Sequence, residues 1–124
     1  MEVHFKFEDL NVYQKALNYI KFVYKITHNF PNNEVYALTS QFQRAAQSIA
    51  LNIAEGSSGT KAQFIRFLKI SQGSLYECVV CTTIAFNEKY IDAKTEKESR
   101  IALMEMSKML SGLIASFNLS VTKN

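Results

Sequence analysis

The stretch from Leu38 to Gly56, LTSQFQRAAQSIALNIAEG, restricts the fold more than any other part of the chain. Leu38, Phe42, Ala45, Ile49 and Ile53 recur at intervals of three and four, the spacing of one helical face rather than of a strand. Beside them Ala46, Ala50 and Ala54 form a row of small side chains over which a second helix can approach closely. The pattern predicts a helix over about 38–55, with Gly56 as its C′ residue and GSSGT as the turn that follows.

The neighbouring stretches repeat the helical period. Thr60 and Gln63 form a capping box, and Phe64, Leu68, Ser71, Leu75, Cys78, Thr82 and Ala85 predict the inner face of a helix over about 60–90. On its far side Tyr76, Val80 and Ile84 make a second apolar ridge. Near the N-terminus Leu10, Tyr13, Leu17, Ile20 and Tyr24 predict the core stripe of a helix over about 8–28, which NFPNNE breaks. Thr95 and Glu98 suggest a further capping box before a helix over about 97–117, with Leu103, Met106, Leu110, Leu113 and Phe117 inward.

Four helices with short connections predict an all-α, antiparallel up-down-up-down four-helix bundle, and 124 residues fit a single domain over 1–124. The first helix carries more apolar surface than such a bundle can cover. Its apolar set continues through Ala16, Val23, Val12, Tyr19, Ile26 and Phe22, leaving Asn11, Gln14, Asn18, Lys21 and Lys25 as the polar face. Val12, Tyr19, Phe22 and Ile26, with Tyr76, Val80 and Ile84 of the third helix, are the candidate subunit interface of a homo-oligomer.

Charge is mildly basic: 14 Lys and Arg against 11 Asp and Glu give +3, which permits an anionic partner without requiring one. Lys15, Lys21, Lys25, Arg44, Lys61, Arg66 and Lys69 are the candidate nucleic-acid-binding residues, because an oligomer multiplies the field of each subunit. No apolar run reaches the roughly 18 residues of a membrane span and no secretory pattern opens the chain, so a cytoplasmic protein without membrane contact is expected.

Signals for catalysis are weak. Cys78 and Cys81 match C-x-x-C but fall in mid-helix, without the helix N-terminus that activates a redox thiol or the further ligands that zinc needs. They are read as small buried hydrophobes. His4 and His28 have no nucleophile at a recognisable spacing, and the Glu-x-x-His pairs of a di-iron bundle are missing. No catalytic residue, metal ligand or cofactor is assigned, and the chain is not expected to be an enzyme. GSSGT with Lys61 and Arg66 nearby offers an alternative anion cradle, although it lacks the Gly-Lys-Ser/Thr ending of a P-loop.

Gln41, Arg44, Ser48, Asn52 and Glu55 lie within roughly 80° on a helical projection, beside the apolar stripe of the second helix. They are read as a register-setting seam in which Arg44 and Glu55 pair with neighbouring helices; a lined pocket or pore is the alternative.

Several segments resemble the bacterial four-helix bundle proteins of the ribosomal RNA intervening-sequence family. They are Tyr13-Gln14-Lys15-Ala16, Phe30-Pro31 through Glu34, Leu38-Thr39-Ser40-Gln41, Arg44-Ala45-Ala46, Ser48-Ile49, Asn52 to Gly56, Arg66-Phe67-Leu68 and Gly73-Ser74. The resemblance implies a ring-shaped homopentamer of antiparallel bundles. The chain is also similar to the accessory variability determinant protein of diversity-generating retroelements, a basic pentamer that engages a reverse transcriptase and nucleic acid. Tyr13 stands where the family often has Trp, and Gln43-Arg44 where it often has two arginines, which lowers the basic charge. The family label records a gene location and establishes neither ribosome association nor an activity. The resulting expectation is a non-enzymatic oligomeric adaptor that binds RNA, DNA or a nucleic-acid enzyme electrostatically. The alternatives are a pure protein–protein module and a small-molecule- or metal-binding bundle.

Overall fold

The computed structural model describes the backbone of residues 3–122 and the side chains of residues 3–119. Its helices are α1 (Asn11–Thr27), α2 (Leu38–Ser57), α3 (Lys61–Asn87) and α4 (Ala93–Thr122), with 3-10 turns at Lys6–Asp9 and Asn32–Glu34. Among the described residues there is no strand. α1 packs on α2 and α4, and α3 packs on the same two helices, so α1 and α3 lie on a diagonal of a four-helix bundle.

Large side chains of α2, α3 and α4 fill the centre, among them Phe42, Ile49, Ile53, Leu68, Leu75, Leu103, Met106 and Leu110. Polar bonds set the register between neighbours. Between α1 and α2 the Gln43 amide donates to Thr27 Oγ1 at 3.0 Å, and Gln47 donates to the Tyr24 hydroxyl. From α3, Ser71 Oγ donates to the Ile49 carbonyl at 2.9 Å and Ser74 Oγ to Ser48 Oγ at 2.8 Å. Between α3 and α4, Gln72 donates to Ser111 Oγ at 2.8 Å and Arg100 to Thr83 Oγ1 at 2.6 Å.

The inner face of α1 is Val12, Ala16, Tyr19 and Val23, not the predicted row. Leu17 and Tyr24 are 39% and 46% exposed, whereas Leu10, Tyr13 and Ile20 are half-buried. Two of the predicted interface residues are therefore corrected: Val12 and Tyr19, each 2% exposed, belong to the core of the subunit itself. Phe22 and Ile26 are half-buried against that core. Both rows have helical period, and what selects between them is a polar group. Tyr19 reaches Ser99 Oγ at 2.7 Å, Ser99 reaches Thr82 Oγ1 at 2.8 Å, and Thr82 donates to the Cys78 carbonyl at 2.8 Å. Because Thr82 gives its one proton to the carbonyl, Ser99 must donate to Thr82 and Tyr19 to Ser99. Every hydroxyl in this buried relay is satisfied, which removes the penalty of placing a phenol in the core.

The helix ends also differ from expectation. Gly56 is not a C′ residue: it sits buried inside α2, and a Cβ there would lie 2.6 Å from Cβ of Phe67. Its role is close approach of α3. α3 stops at Asn87 rather than Tyr90, because Lys89 adopts φ 64° and the chain closes a Schellman cap. Lys89 N–H donates to the Phe86 carbonyl at 3.0 Å and Tyr90 N–H to the Ala85 carbonyl at 2.8 Å. α4 starts at Ala93 rather than Lys97, since the Asp92 carboxylate accepts the Thr95 N–H at 2.8 Å and so outcompetes Thr95 as cap. The Asp92 carboxyl is held below its ordinary value by its hydrogen bonds from the Thr95 hydroxyl and N–H. The Thr60–Gln63 capping box forms as predicted.

Replacing Gly56 by Ala should lower stability by about 1–3 kcal/mol in denaturant unfolding, because the Phe67 backbone and Cβ cannot rotate away. Gly112→Ala, where an added Cβ meets nothing within 4 Å, should instead raise it by about 0.5–1 kcal/mol. Equal effects at the two sites would refute close approach as the constraint on Gly56. Cys78 and Cys81 are free and buried, and burial pushes both thiols up, Cys81 to about 11. A thiol-reactive dye should label both after unfolding and neither in the folded protein over the same interval; rapid native labelling of Cys81 would contradict this placement.

Candidate functional site

The polar row of α2 divides in two. Ser48 and Asn52 lie at the edge of α3, where Asn52 Nδ2 donates to the Ser48 carbonyl at 2.8 Å and to Ser48 Oγ at 2.9 Å, beside the Ser74 hydroxyl. Gln41, Arg44 and Glu55 remain exposed. The pairing predicted for Arg44 and Glu55 does not form, since among the described residues neither has an opposite charge within 4.0 Å. The short Ser48 and Ser74 side chains bring α2 and α3 together and leave the long ones outside. Arg44 instead borders an open groove with Gln41, Ser48, Ser74 and Glu77.

The seven candidate cations do not form one patch. Lys15 joins Glu105 of α4 at 2.6 Å, so its charge is matched. Lys21 and Lys25 are exposed on α1, Arg44 on α2, and Lys61, Arg66 and Lys69 on the first turns of α3. The structure brings Arg66 and Lys69 together on a shallow groove with Ala62, Ile65 and Ile70. The Arg66 guanidinium also lies 5.9 Å from the Phe67 ring centroid.

The turn after α2 is already satisfied by its own chain. Ser57 Oγ donates to the Ala54 carbonyl at 2.7 Å and Ser58 Oγ to the Glu55 carbonyl at 2.9 Å. Thr60 N–H donates to Gln63 Oε1 at 2.8 Å, and Gln63 N–H to Thr60 Oγ1 at 3.2 Å. An anion cradle at this turn would have to break these bonds. Among the described residues no group of three or more His, Cys, Asp or Glu side chains is placed to hold a metal ion. No described helix is long and apolar enough to cross a membrane.

Two apolar surfaces stay open on opposite sides. Tyr76, Val80 and Ile84 are exposed on α3 as expected, Val80 by 57%, and Ile101 and Met104 of α4 extend this face. Across the bundle Leu17 and Tyr24 of α1 join Leu51 of α2, which is 64% exposed, along a groove floored by Ile20 and Ala50.

One feature escaped sequence reasoning. At the end of the bundle that holds the α2–α3 turn, Phe5, Phe7, Phe64 and Phe117, with Lys6 and Lys61, line a cleft of about 630 Å³. Phe5 and Phe7 stack at 6.1 Å, and Phe64 meets Phe117 at 5.2 Å. The available signal was His4-Phe5-Lys6-Phe7, in which aromatic and basic residues alternate.

A solved structure of a protein of unknown function from the S23 ribosomal protein family of Bacteroides thetaiotaomicron is similar to this chain. The likeness covers 84% of this chain and 95% of that one at 22% identity, with a TM-score of 0.76, and shows the shared fold. No curated protein matches the chain. A family model described as 23S rRNA-intervening sequence protein matches residues 8–112, from the turn before α1 well into α4. With most of the bundle inside that match, the chain belongs to the 23S rRNA-intervening sequence protein family.

Proposed function

We propose that the protein is a non-enzymatic, self-associating cytoplasmic adaptor that binds RNA, DNA or an enzyme acting on them, such as a reverse transcriptase. The observation that carries this reading is the state of its cations. Lys21, Lys25, Arg44, Arg66 and Lys69 are exposed, and among the described residues none has a carboxylate within 4.0 Å. Exposed unpaired cations are free to replace the counterions of a phosphate backbone.

The proposed assembly is a ring-shaped homopentamer of antiparallel up-down-up-down bundles. In favour of the helix directions, Thr27 and Tyr24 of α1 meet Gln43 and Gln47 of α2, so contacts advance along one helix as they retreat along the other. The same order holds for Thr83 and Gln72 against Arg100 and Ser111. In favour of a ring, the two open apolar faces are unlike, and contact between unlike faces is head-to-tail, the kind that gives a ring where the rotation closes rather than an isologous dimer. Five copies would carry five times the subunit's +3 and a correspondingly stronger field.

Light scattering should give a mass of several subunits at micromolar concentration. Leu51→Glu and Val80→Glu should each shift it toward the monomer without loss of helical circular dichroism. A wild-type monomer would sink the assembly. Oligonucleotide affinity should fall linearly on a log–log plot against salt, and Arg66→Ala with Lys69→Ala should reduce the slope by about one for each lost phosphate contact. Absence of binding at low salt by an intact oligomer would reject nucleic-acid binding and leave a protein–protein module, the reading that the apolar faces favour next.

A further inference from the structure

We infer that Tyr36 of one copy seats in the aromatic cleft of another, so that rings of this protein stack end to end. The inference rests on the ring assembly proposed above and goes beyond it, because it names a second contact between copies, at the ends of the bundle rather than its sides.

Tyr36 is 97% exposed, the most of any large apolar side chain among the described residues. It is nevertheless carried on a bonded turn. Glu34 N–H donates to the Pro31 carbonyl at 2.9 Å, Val35 N–H to the Asn32 carbonyl at 3.2 Å and Ala37 N–H to the Glu34 carbonyl at 3.0 Å. The backbone under the ring is already ordered, so seating the ring on a partner costs little further chain entropy. Its own subunit cannot use it to fill the cleft. Tyr36 precedes α2, the cleft residues Ser57 and Ser58 lie at the other end of that helix, and its 20 residues span about 30 Å.

The chemistry of the cleft selects a phenol. Phe5, Phe7, Phe64 and Phe117 supply ring surface, and Phe5 is left 60% exposed at the bundle end. Ser57 and Ser58 line the same cleft, and each hydroxyl already gives its proton to a carbonyl of α2, at 2.7 and 2.9 Å. What these two oxygens have left is lone pairs, which accept a hydrogen bond and cannot donate one. An aromatic ring carrying one O–H donor matches both features. The chain has no Trp, and of its exposed tyrosines Tyr24 and Tyr76 belong to the side faces within α1 and α3. Tyr36 alone among them stands at an end.

Area decides what can stack. Burying one aromatic side chain removes only about 150–250 Å² from water, whereas a stable interface buries roughly 1,200–2,000 Å² in total. Two single subunits would not stay together on this contact. Five such contacts, with a comparable area lost by each cleft, reach roughly that size and act together. In a ring whose axis runs along the bundles, every Tyr36 points one way and every cleft the other, and both sets share the symmetry of the ring. Contact between such unlike ends does not close on itself, so it repeats as a column.

The test is sedimentation velocity of the full chain over a range of concentrations. Above the mass of the ring, species at multiples of that mass should appear as concentration rises, and negative-stain images should show columns. Tyr36→Ala and Phe5→Ala should each lower the association constant between rings by at least about tenfold. Both side chains are exposed, so the ring mass and the helical circular dichroism should match the parent. Tyr36→Phe, which keeps the ring and loses the donor, should fall between. Preformed rings of the two Ala variants, once mixed, retain one good junction, the Tyr36 set of Phe5→Ala against the clefts of Tyr36→Ala. They should form pairs of rings and nothing longer.

Wild-type rings that stay single up to the solubility limit would overturn the stack and leave the ring standing, whereas a wild-type monomer would reject both. Stacking that persists in Tyr36→Ala, or that is lost there but kept in Phe5→Ala, would overturn the cleft as the seat of Tyr36, as would a mixture that forms no pairs. Phe5-dependent binding of an oligonucleotide or of decanoate, with stacking unchanged by either substitution, would give the cleft to a ligand from solution instead.

Discussion

Close contact between α2 and α3 is the constraint on which the rest of the structure depends. Gly56 lets the backbone of α2 come against Phe67, and Ser71 Oγ bonds directly to the Ile49 carbonyl across the contact. Ala45 and Ser48 on one helix and Ser74 on the other keep side chains short where the axes approach. The larger residues of the same two helices, Phe42, Ile49, Leu68 and Leu75, are fully buried. Interior packing tolerates little error in volume, so this arrangement of small and large residues fixes where the outer helices can lie.

The hydroxyl relay from Tyr19 through Ser99 and Thr82 to the Cys78 carbonyl acts on a different variable, the rotation of α1 about its own axis. Apolar burial alone would accept either of the two stripes on that helix. A phenol in the core is acceptable at one rotation, where partners from α3 and α4 meet it, and would be unsatisfied at others. Burial accordingly holds the Tyr19 phenol neutral, above its ordinary value.

This contrast explains how far the sequence could be read. Leu38 to Ile53 was legible because small and polar residues flank its one row of large side chains, and Leu68 to Ala85 because its inner row keeps the helical period throughout while the second ridge, Tyr76, Val80 and Ile84, spans only its latter half. α1 was legible as a helix but not in phase, because Tyr19 and Ser99 are separated by 80 residues and their bond leaves no local mark. Asp92 and Lys89 were missed for similar reasons: a stronger cap three residues ahead displaced Thr95, and a left-handed lysine closed a helix end that composition would assign to glycine. The cations were legible by type, yet their surroundings were not; Lys15 has an acidic partner on α4 and Arg66 a ring beside it. The cleft is assembled from the N-terminal segment, the start of α3 and the end of α4, so no window of sequence contains it.

The far end of the bundle is chemically different. There the Tyr90 hydroxyl donates to Glu34 Oε2 at 2.8 Å, its ring lies 5.4 Å from Phe30, and the other Glu34 oxygen accepts the Leu38 N–H. This clasp ties the α1–α2 connection to the α3–α4 connection and closes that end, whereas the cleft leaves its counterpart open. In a cyclic ring whose axis runs along the bundles, rotation would not exchange the two ends of a subunit, so every cleft would lie on one rim and every clasp on the other, and a ligand arriving from solution would meet two chemically distinct sides.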